Sequence, residues 1–333
     1  MIAVAASNFW SNVESGGNGS SDDSSDDGTG DGTHHSADGG THHGIHDGTA
    51  RMTKIADILA EGRTTSFEFF PPTTEAGLET LNDTVAELAS IPPSFVSVTY
   101  GAGGTNRDRT LEIVTQINNA QPYPAMPHLT CIGHTTAELT DLVDGYVAAG
   151  IDNMLALAGD PPADGSPAVG DYTYASELIE LIRSRADVSI GVAAFPEGHP
   201  RSTSLADDRK RLAEKLHLAD FGITQFFFRA DDYLAMVDDL FALDCEVPVL
   251  PGLMPMLNPS AVKRFAGMNG AWFDEALAAR VEEADEADRL AIAADAAAEM
   301  GNELLAAGAP GLHIYCMNRS STALAVLERI TED

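Results

Sequence analysis

One carboxylate lies within a strongly apolar stretch of the sequence. Residues 66–72 read SFEFFPP, so Glu68 is surrounded by phenylalanines, and two prolines end the run. A strand of this composition is normally buried, and an isolated buried carboxylate is costly unless it is paired or stays protonated. Because side chains alternate between the faces of a strand, Glu68 points away from Phe67 and Phe69. The stretch therefore predicts either a partner for Glu68 or a chemical role, and a retained proton would suit general acid catalysis.

The elements that must position Glu68 follow a regular pattern from residue 52 onward. Short apolar runs rich in strand-forming residues recur at 64–70, 94–101, 127–133, 153–160, 188–196, 221–228, 246–255 and 311–318. The segments between them have helical spacing, as in Leu78, Leu81, Val85 and Leu88. Strands that alternate with helix-length spacers indicate a parallel sheet, and eight strands are enough to close a barrel. We therefore predict an α/β fold, a (βα)8 TIM barrel, over 52–333.

In a barrel of this kind, the active site forms at the carboxyl ends of the strands. Residues at those ends that are suited to chemistry or binding are Glu68, Thr99, Tyr100, His128, Asp160, Phe195, His199, Gln225, Asn258, Asn318 and Arg319. The sequence therefore predicts that these side chains converge on one mouth of the barrel.

The composition argues against several classes of protein. A formal net charge of −32 argues against nucleic acid as a partner. No stretch approaches the roughly 18 consecutive apolar residues of a membrane helix, and the first residues lack the features of a secretory signal. These observations predict a cytoplasmic location. The cysteines Cys131, Cys245 and Cys316 are far apart, so they indicate neither a disulfide framework nor a metal site.

Residues 1–51 differ in kind from the rest of the chain. They are rich in Gly, Ser, Asp, Thr and His, and this composition favours disorder. Histidines between His34 and His46 could bind a transition metal loosely, but a solvated tail is the simpler interpretation. We therefore predict a disordered tail over 1–51, a catalytic barrel over 52–333, and no metal site.

Short motifs along the barrel occur in the order and spacing of one enzyme family. They read SFEFFPP, FVSVTYGAGGTNRDRT, PHLTCIG, LALAGDPP, FPEGHP, ITQFFF, PGLMPMLN and YCMNR, and they are spread over about 55–333, nearly the whole part expected to fold. In these motifs the chain resembles methylenetetrahydrofolate reductase of the bacterial single-domain type. The resemblance implies a (βα)8 barrel that holds FAD at its mouth. It also implies reduction of methylenetetrahydrofolate to methyltetrahydrofolate with electrons from NADH or NADPH.

The resemblance assigns a role to Glu68 and to three further residues. In the family, the glutamate at this position donates the proton that opens the five-membered ring of the folate. Asp160 is expected to contact the pterin, whose adjacent N–H groups suit a carboxylate. Gln225 is expected to bind the folate, and Arg319 is expected near its anionic benzoyl-glutamate end. The alternative for Glu68 is a structural ion pair with a barrel arginine.

The resemblance also implies contacts with FAD. The expected positions are Thr99, Tyr100, Ala102, His128, Ala158, Gly159, Asp160, Tyr174, Ala175, Phe195, His199, Asp208, Arg211, Lys215 and Phe265. Phe265 matches a family phenylalanine that covers the flavin site. Three positions depart from the family, in which an arginine stands at Ala158, a tyrosine at Phe195 and an asparagine at Arg211. Because Ala158 removes a charged donor, we expect FAD to bind loosely.

Other functions are compatible with parts of this pattern. A flavin-independent reductase with direct hydride transfer would explain the three departures. A catalytically silent folate-binding subunit would keep the binding residues and lose the acid, and a pterin-dependent methyltransferase would have no need of Glu68. No GxGxxG motif follows a strand, so a Rossmann domain is not indicated. The expected partners are a folate and a nicotinamide dinucleotide, without nucleic acid or membrane, and the sequence is compatible with a homo-oligomer.

Overall fold

The strands form one closed, parallel sheet. A computed structural model of the chain describes residues 54–100, 107–160 and 169–331. Within them, eight strands follow one another around the barrel in chain order, and the last pairs with the first. This confirms the predicted (βα)8 fold. Residues 1–51 lie outside the described residues, so their predicted disorder and the division into tail and barrel stay predictions.

Each strand overlaps its predicted run. The strands are β1 Thr64–Phe69, β2 Phe95–Val98, β3 Ala125–Thr130, β4 Asn153–Leu157, β5 Ser189–Ala194, β6 Phe221–Phe226, β7 Val249–Leu253 and β8 Gly311–Tyr315. The third strand begins and ends earlier than its predicted run at 127–133. It ends because Gly133 adopts a left-handed conformation, with φ of 79°, and the His134 amide donates to the Cys131 carbonyl at 3.2 Å. These residues form a turn, which glycine favours at positive φ.

Helices fill the spaces between the strands. They are α1 Ile55–Glu61, α2 Glu75–Leu88, α3 Arg107–Ala120, α4 Thr136–Ala148, α5 Ala175–Arg185, α6 Leu205–Leu216, α7 Ala230–Phe241, α8 Pro259–Asn269, α9 Glu275–Glu283, α10 Glu286–Ala306 and α11 Ser320–Leu327. Several begin where a polar side chain caps the first turn, as Thr135 does for α4 and Ser204 for α6. None of the helices in the described ranges is long and apolar enough to cross a membrane.

Helix α1 closes the amino-terminal end of the barrel. Ile55 is fully buried in the apolar barrel interior, together with Phe95 and Phe221. The amide of Ile55 donates to Asn153 Oδ1 at 2.7 Å, and that of Ala56 donates to Ser189 Oγ at 3.1 Å. Asn153 and Ser189 thus accept hydrogen bonds from N–H groups in the first turn of α1. The side chain of Lys54, which precedes the helix, forms no such hydrogen bond. The open end of the barrel is therefore the carboxyl end, where chemistry is expected.

The wall beneath the mouth is tightly packed at Gly252 on β7. A Cβ atom added to Gly252 would lie 2.5 Å from the Thr224 carbonyl oxygen and 2.6 Å from Tyr315 Cε2. Both neighbours are held in place, since the Tyr315 hydroxyl donates to that same carbonyl at 2.7 Å. The Gly252 amide also donates to Thr224 Oγ1 at 2.8 Å. There is no room for a side chain at this position.

Gly252→Ala should therefore destabilise the barrel. Because the obstructing atoms are backbone and a hydrogen-bonded ring, we expect a loss of about 1–3 kcal/mol in the free energy of unfolding. Urea denaturation measures this loss. Gly145→Ala is the control, since an added Cβ there meets no atom within 4 Å. In helix α4 this change should stabilise the chain by about 0.5–1 kcal/mol, and similar effects of the two substitutions would contradict the packing argument.

Candidate active site

A cavity of about 790 Å³ opens at the carboxyl ends of the strands and extends from β1 to α6. Most of the residues predicted for the site line it, namely Glu68, His128, Ala158, Gly159, Asp160, Tyr174, Ala175, Phe195, His199, Asp208, Arg211, Lys215 and Gln225. Residues that are distant in sequence therefore meet on one surface, and each of their assigned roles stays a prediction.

Glu68 lies at the inner end of this cavity with two histidines beside it. Its side chain is 11% exposed, and its Oε2 atom is 3.5 Å from His128 Nε2 and 3.6 Å from His313 Nε2. Phe67 and Phe69 on either side are buried in the apolar core. The alternation along β1 thus directs Glu68 into the mouth, as predicted. Within the described residues, Glu68 has no ion pair with an arginine, so its neighbours are the two imidazoles.

His313 is held in one orientation by the strand next to it. Ser66 Oγ lies 3.2 Å from the Leu312 carbonyl oxygen, to which its hydroxyl donates, and 2.8 Å from His313 Nδ1. A hydroxyl has one proton, and in the tautomer in which Ser66 donates that proton to the Leu312 carbonyl, His313 carries its N–H at Nδ1. The other ring nitrogen, Nε2, then carries a lone pair on the side of Glu68. Nε2 lies 3.6 Å from Glu68 Oε2 and has no hydrogen-bond partner among the described residues.

His128 is a buried histidine at the other side of Glu68. Burial lowers the pKa of His128 to about 4, and His313 adds to this shift while Glu68 opposes it. Neither ring nitrogen has a hydrogen-bond partner among the described residues. Such a ring is neutral near pH 7 and retains a free donor and a free acceptor. His128 can therefore contribute a polar contact to a bound molecule without adding a charge.

The floor of the cavity is made of small residues at the ends of β4 and β5. They are Ala156, Ala158, Gly159, Ala193 and Ala194. Gly159 has φ of 90°, and a Cβ there would lie 2.7 Å from a side-chain atom of Ile132. A larger residue at this position would be strained and would clash. These small side chains leave room for a bound molecule along this part of the cavity.

Asp160 and Gln225 stand at the edges of this floor. Asp160 follows β4 directly, after the turn at Gly159. Gln225 lies on β6, where the pairing with β7 shifts between Ile223 and Phe226. The shift places one extra residue in β6, which is a bulge that redirects side chains. Carboxylate and amide groups therefore face the same cavity from two different strands.

Cationic side chains line the outer part of the cavity. Arg201 follows β5, and Arg211 and Lys215 lie on α6. The Lys215 ammonium donates to the Ala193 carbonyl at 2.6 Å. Burial lowers the pKa of Lys215 to about 8, a shift that nearby Asp208 partly opposes. Arg211 pairs with Asp207 at 3.0 Å.

Asp208 organises the loop between β5 and α6. Its Oδ1 atom accepts hydrogen bonds from the His199 amide at 3.1 Å and from the Ser202 hydroxyl at 2.7 Å. Burial lowers the pKa of His199, and the neighbouring Arg201 adds to this effect. The loop therefore holds a neutral histidine and an arginine at fixed places along the cavity. Cationic groups and hydroxyl donors of this kind suit an anionic ligand such as a diphosphate.

The similarity to known proteins agrees with this site. The family model described as methylenetetrahydrofolate reductase matches residues 51–331. The chain belongs to the methylenetetrahydrofolate reductase family. It is 38% identical over 267 residues to 5,10-methylenetetrahydrofolate reductase of Escherichia coli, a match that covers 78% of this chain and 88% of that protein.

A plant relative and a solved structure extend the comparison. Methylenetetrahydrofolate reductase (NADH) 1 of Arabidopsis thaliana is 34% identical over 294 residues, which cover 83% of this chain and 50% of that protein. An uncharacterized protein from Clostridium thermocellum, described as binding two copies of 5-methyl-5,6,7,8-tetrahydrofolic acid, superposes with a TM-score of 0.56. It is 15% identical and covers 82% of this chain and 98% of its own, so it supports the fold alone.

Some residues that the family resemblance implies do not line the cavity. Thr99 is buried, and its amide donates to the Phe69 carbonyl at 2.9 Å. The Tyr100 hydroxyl lies 3.3 Å from His134 Nε2, behind β2 and β3. Ala102 lies outside the described residues. The predicted FAD contacts of these three residues stay predictions.

Arg319 and Phe265 also lie apart from the cavity. Arg319 immediately precedes α11 and lines a separate depression of about 240 Å³ beside α2. Phe265, on α8, is 2% exposed and packs with Phe226 in a satellite apolar cluster. Asn318 was expected at the mouth, but its amide bonds the backbone of Phe70 at 2.9 and 3.0 Å. It ties the end of β1 to the segment after β8.

The sequence-based predictions did not single out His313 and Tyr315 on β8, or Arg201 after β5. His313 and Tyr315 alternate with Leu312 and Ile314 along β8, and this alternation places the histidine and the tyrosine inside the barrel. The alternation that indicates their inward orientation was therefore present in the sequence GLHIYCMN. The cation at Arg201 had no comparable signal, because its place depends on the loop after β5.

The pKa of His128 predicts how stability depends on pH. Unfolded histidine titrates near pH 6.5, whereas folded His128 titrates near 4. Between these values the unfolded chain binds a proton that the folded chain does not, so the contribution of His128 is complete above pH 6.5 and falls towards pH 4. The total loss is about 3 kcal/mol. His128→Gln should flatten the pH dependence over this range.

Urea denaturation at several pH values from 4 to 7 tests this expectation. The free energy of unfolding of the unaltered chain should fall more steeply with decreasing pH than that of His128→Gln. Parallel curves for the two proteins would show that His128 does not titrate in this way.

Proposed function

We propose that the chain reduces 5,10-methylenetetrahydrofolate to 5-methyltetrahydrofolate with electrons from NADH or NADPH, through bound FAD. The observation that carries this proposal is a nearly buried carboxyl group, Glu68, at the inner end of a large cavity and within 3.6 Å of two histidine nitrogens. Membership of the reductase family supports the reaction class. The identity of the acid, the cofactor and the electron donor are parts of the proposal.

The reaction needs a proton donor at a defined place. To accept a hydride, the bridging methylene must become an electrophilic iminium, and this requires protonation of the nitrogen that leaves when the five-membered ring opens. Glu68 is suited to supply that proton, because its carboxyl group faces both the cavity and the lone pair of His313. Ser66 keeps that lone pair directed at Glu68. The apolar residues around β1 limit access of water to the acid.

Asp160 and Gln225 are suited to hold the pterin. The carboxylate of Asp160 can accept hydrogen bonds from the two adjacent N–H groups of the pterin edge. The Gln225 amide can donate or accept on another side of the ring. Both side chains reach the cavity that contains Glu68. In this proposal Arg319 interacts with the anionic tail of the folate beyond the cavity, beside α11.

The residues of the cavity also fit FAD. Ala156, Ala158 and Gly159 leave room for a planar ring, and Arg201, Arg211 and Lys215 offer positive charge for phosphates. The other predicted positions that line the cavity would contact FAD along the same surface. The FAD contacts of Thr99, Tyr100, Ala102 and Phe265 stay predictions. The chemistry that FAD supplies when bound is hydride transfer between the nicotinamide and the folate.

Glu68→Gln should separate the two half-reactions. Without the acid, we expect folate reduction to fall by about 10²–10⁴-fold. Reduction of bound flavin by NADH needs no such proton and should largely survive. Stopped-flow absorbance measures each step. Glu214→Gln is the control, because Glu214 lines the outer part of the same cavity and is exposed.

An equal loss in both half-reactions would make Glu68 a structural residue. A chain that binds folate but reduces none would be the silent binding subunit. Methyl transfer without any reduction would indicate the methyltransferase.

Ala158→Arg should tighten FAD binding. Restoring a charged donor is worth about 1.5–3 kcal/mol, which is roughly a ten- to hundredfold lower dissociation constant. Titration of the apoprotein with FAD, followed by flavin fluorescence, measures the change. Ala307→Arg adds the same charge at an exposed residue after α10, outside the residues that line the cavity, and should have little effect. A colourless protein with full activity that is indifferent to added FAD would instead favour direct hydride transfer.

A further inference from the structure

Gln225 has a buried neighbour that does not itself line the cavity. Asn269, the last residue of α8, is 2% exposed. Its Nδ2 atom donates to Gln225 Oε1 at 3.3 Å. This is a contact between side chains 44 residues apart, so it connects α8 with the bulged part of β6.

The backbone at Asn269 is well defined. Gly270, which follows it, adopts the left-handed conformation with φ of 71° and ends the helix. The amide of Ala271 donates back to the Ala266 carbonyl at 2.9 Å, as in a Schellman-type helix end. An added Cβ at Gly270 would be 3.4 Å from Pro200, so this end also packs on the loop after β5. The position of Asn269 is therefore fixed by its own helix end and by a neighbouring loop.

Packing does not explain an asparagine at this place. The Oδ1 atom of Asn269 is buried and has no hydrogen-bond partner among the described residues. Burial of an unpartnered amide oxygen is unfavourable, and an apolar residue would avoid it. Within the described residues, the side chain of Asn269 forms its hydrogen bond with Gln225. Its effect on Gln225 is thus the candidate reason for its presence.

The contact determines which end of the Gln225 amide is available. An amide carries an acceptor oxygen and a donor NH2 group on opposite sides of one carbon. Because Asn269 donates to the oxygen, the NH2 group of Gln225 is the end left to face the cavity. Asp160, in contrast, offers an acceptor to the same cavity. The two residues together present one acceptor and one donor.

We propose that Asn269 is a positioning residue that orients the Gln225 amide so that its NH2 group donates to the ring carbonyl of the bound pterin. The inference rests on the proposed function, since the pterin is the substrate proposed above. A pterin has a carbonyl next to a ring N–H, and the pair of Gln225 and Asp160 is complementary to this pattern. Asn269 therefore contributes to recognition of the substrate without touching it.

A double-mutant cycle tests the proposal. The variants are Asn269→Leu, Gln225→Ala and the combination, and calorimetry measures the dissociation constant for 5-methyltetrahydrofolate on the full chain. Asn269→Leu should weaken binding about three- to tenfold, which is the usual contribution of one neutral hydrogen bond. In the Gln225→Ala background it should cause no further loss. Met268→Ala, at an exposed residue on the same helix turn, is the control.

Asn269→Asp provides a second test, because the side chain of aspartate has nearly the same shape as that of asparagine. A carboxylate only accepts hydrogen bonds, so it should attract the NH2 group of Gln225 and turn the amide oxygen towards the pterin carbonyl. We expect weaker folate binding than in Asn269→Leu, a raised KM and a nearly unchanged kcat at saturating folate. Reduction of flavin by NADH should not change.

The outcomes distinguish this inference from the proposed function. Additive losses in the cycle, or normal folate affinity in Asn269→Asp, would overturn the role of Asn269. An unaltered chain that binds no 5-methyltetrahydrofolate would overturn the proposed function itself. If Asn269→Leu does not fold, melting curves reveal it, and the Asn269→Asp series decides the question.

Discussion

The strand register of the closed barrel determines which ionisable groups share its interior. Glu68 pairs across the barrel seam with Tyr315, and Ser66 pairs with His313, so all four side chains project inward from β1 and β8. A carboxyl group in the barrel interior needs polar neighbours, and neutral neighbours avoid the cost of burying further charge. His128 is such a neighbour, because burial keeps it neutral.

The cavity brings several cationic side chains together in a strongly acidic chain. The sequence has 51 acidic and 19 basic residues, so the surface as a whole repels anions. Arg201, Arg211 and Lys215 nevertheless gather at the outer part of the cavity. Arg211 is paired with Asp207, and Asp208 lies near Lys215, so these cations offer local contacts to an anionic ligand and not a positive region. The small residues of β4 and β5 and these cations give one cavity two different chemical surfaces.

The parts of this arrangement that depend on local pattern could be predicted from the sequence. Apolar runs and helical spacing indicated all eight strands, and alternation alone placed Glu68 in the mouth. The parts that depend on pairing between distant segments could not. The bulge that presents Gln225 arises from the register between β6 and β7, and Asn269 reaches Gln225 through the path of α8. Phe265 lies in an apolar cluster, and its expected place over the flavin stays a prediction.

Helix α1, which closes the amino-terminal end of the barrel, has a consequence for how the chain folds. Helix α1 is made early in synthesis, yet the side chains that complete its first turn lie 98 and 133 residues further on. A helix of seven residues does not persist in isolation. Its formation must wait until β4 and β5 have left the ribosome, and contacts over such separations slow folding. During translation, helix α1 is therefore not protected from proteases and chaperones until β5 has emerged.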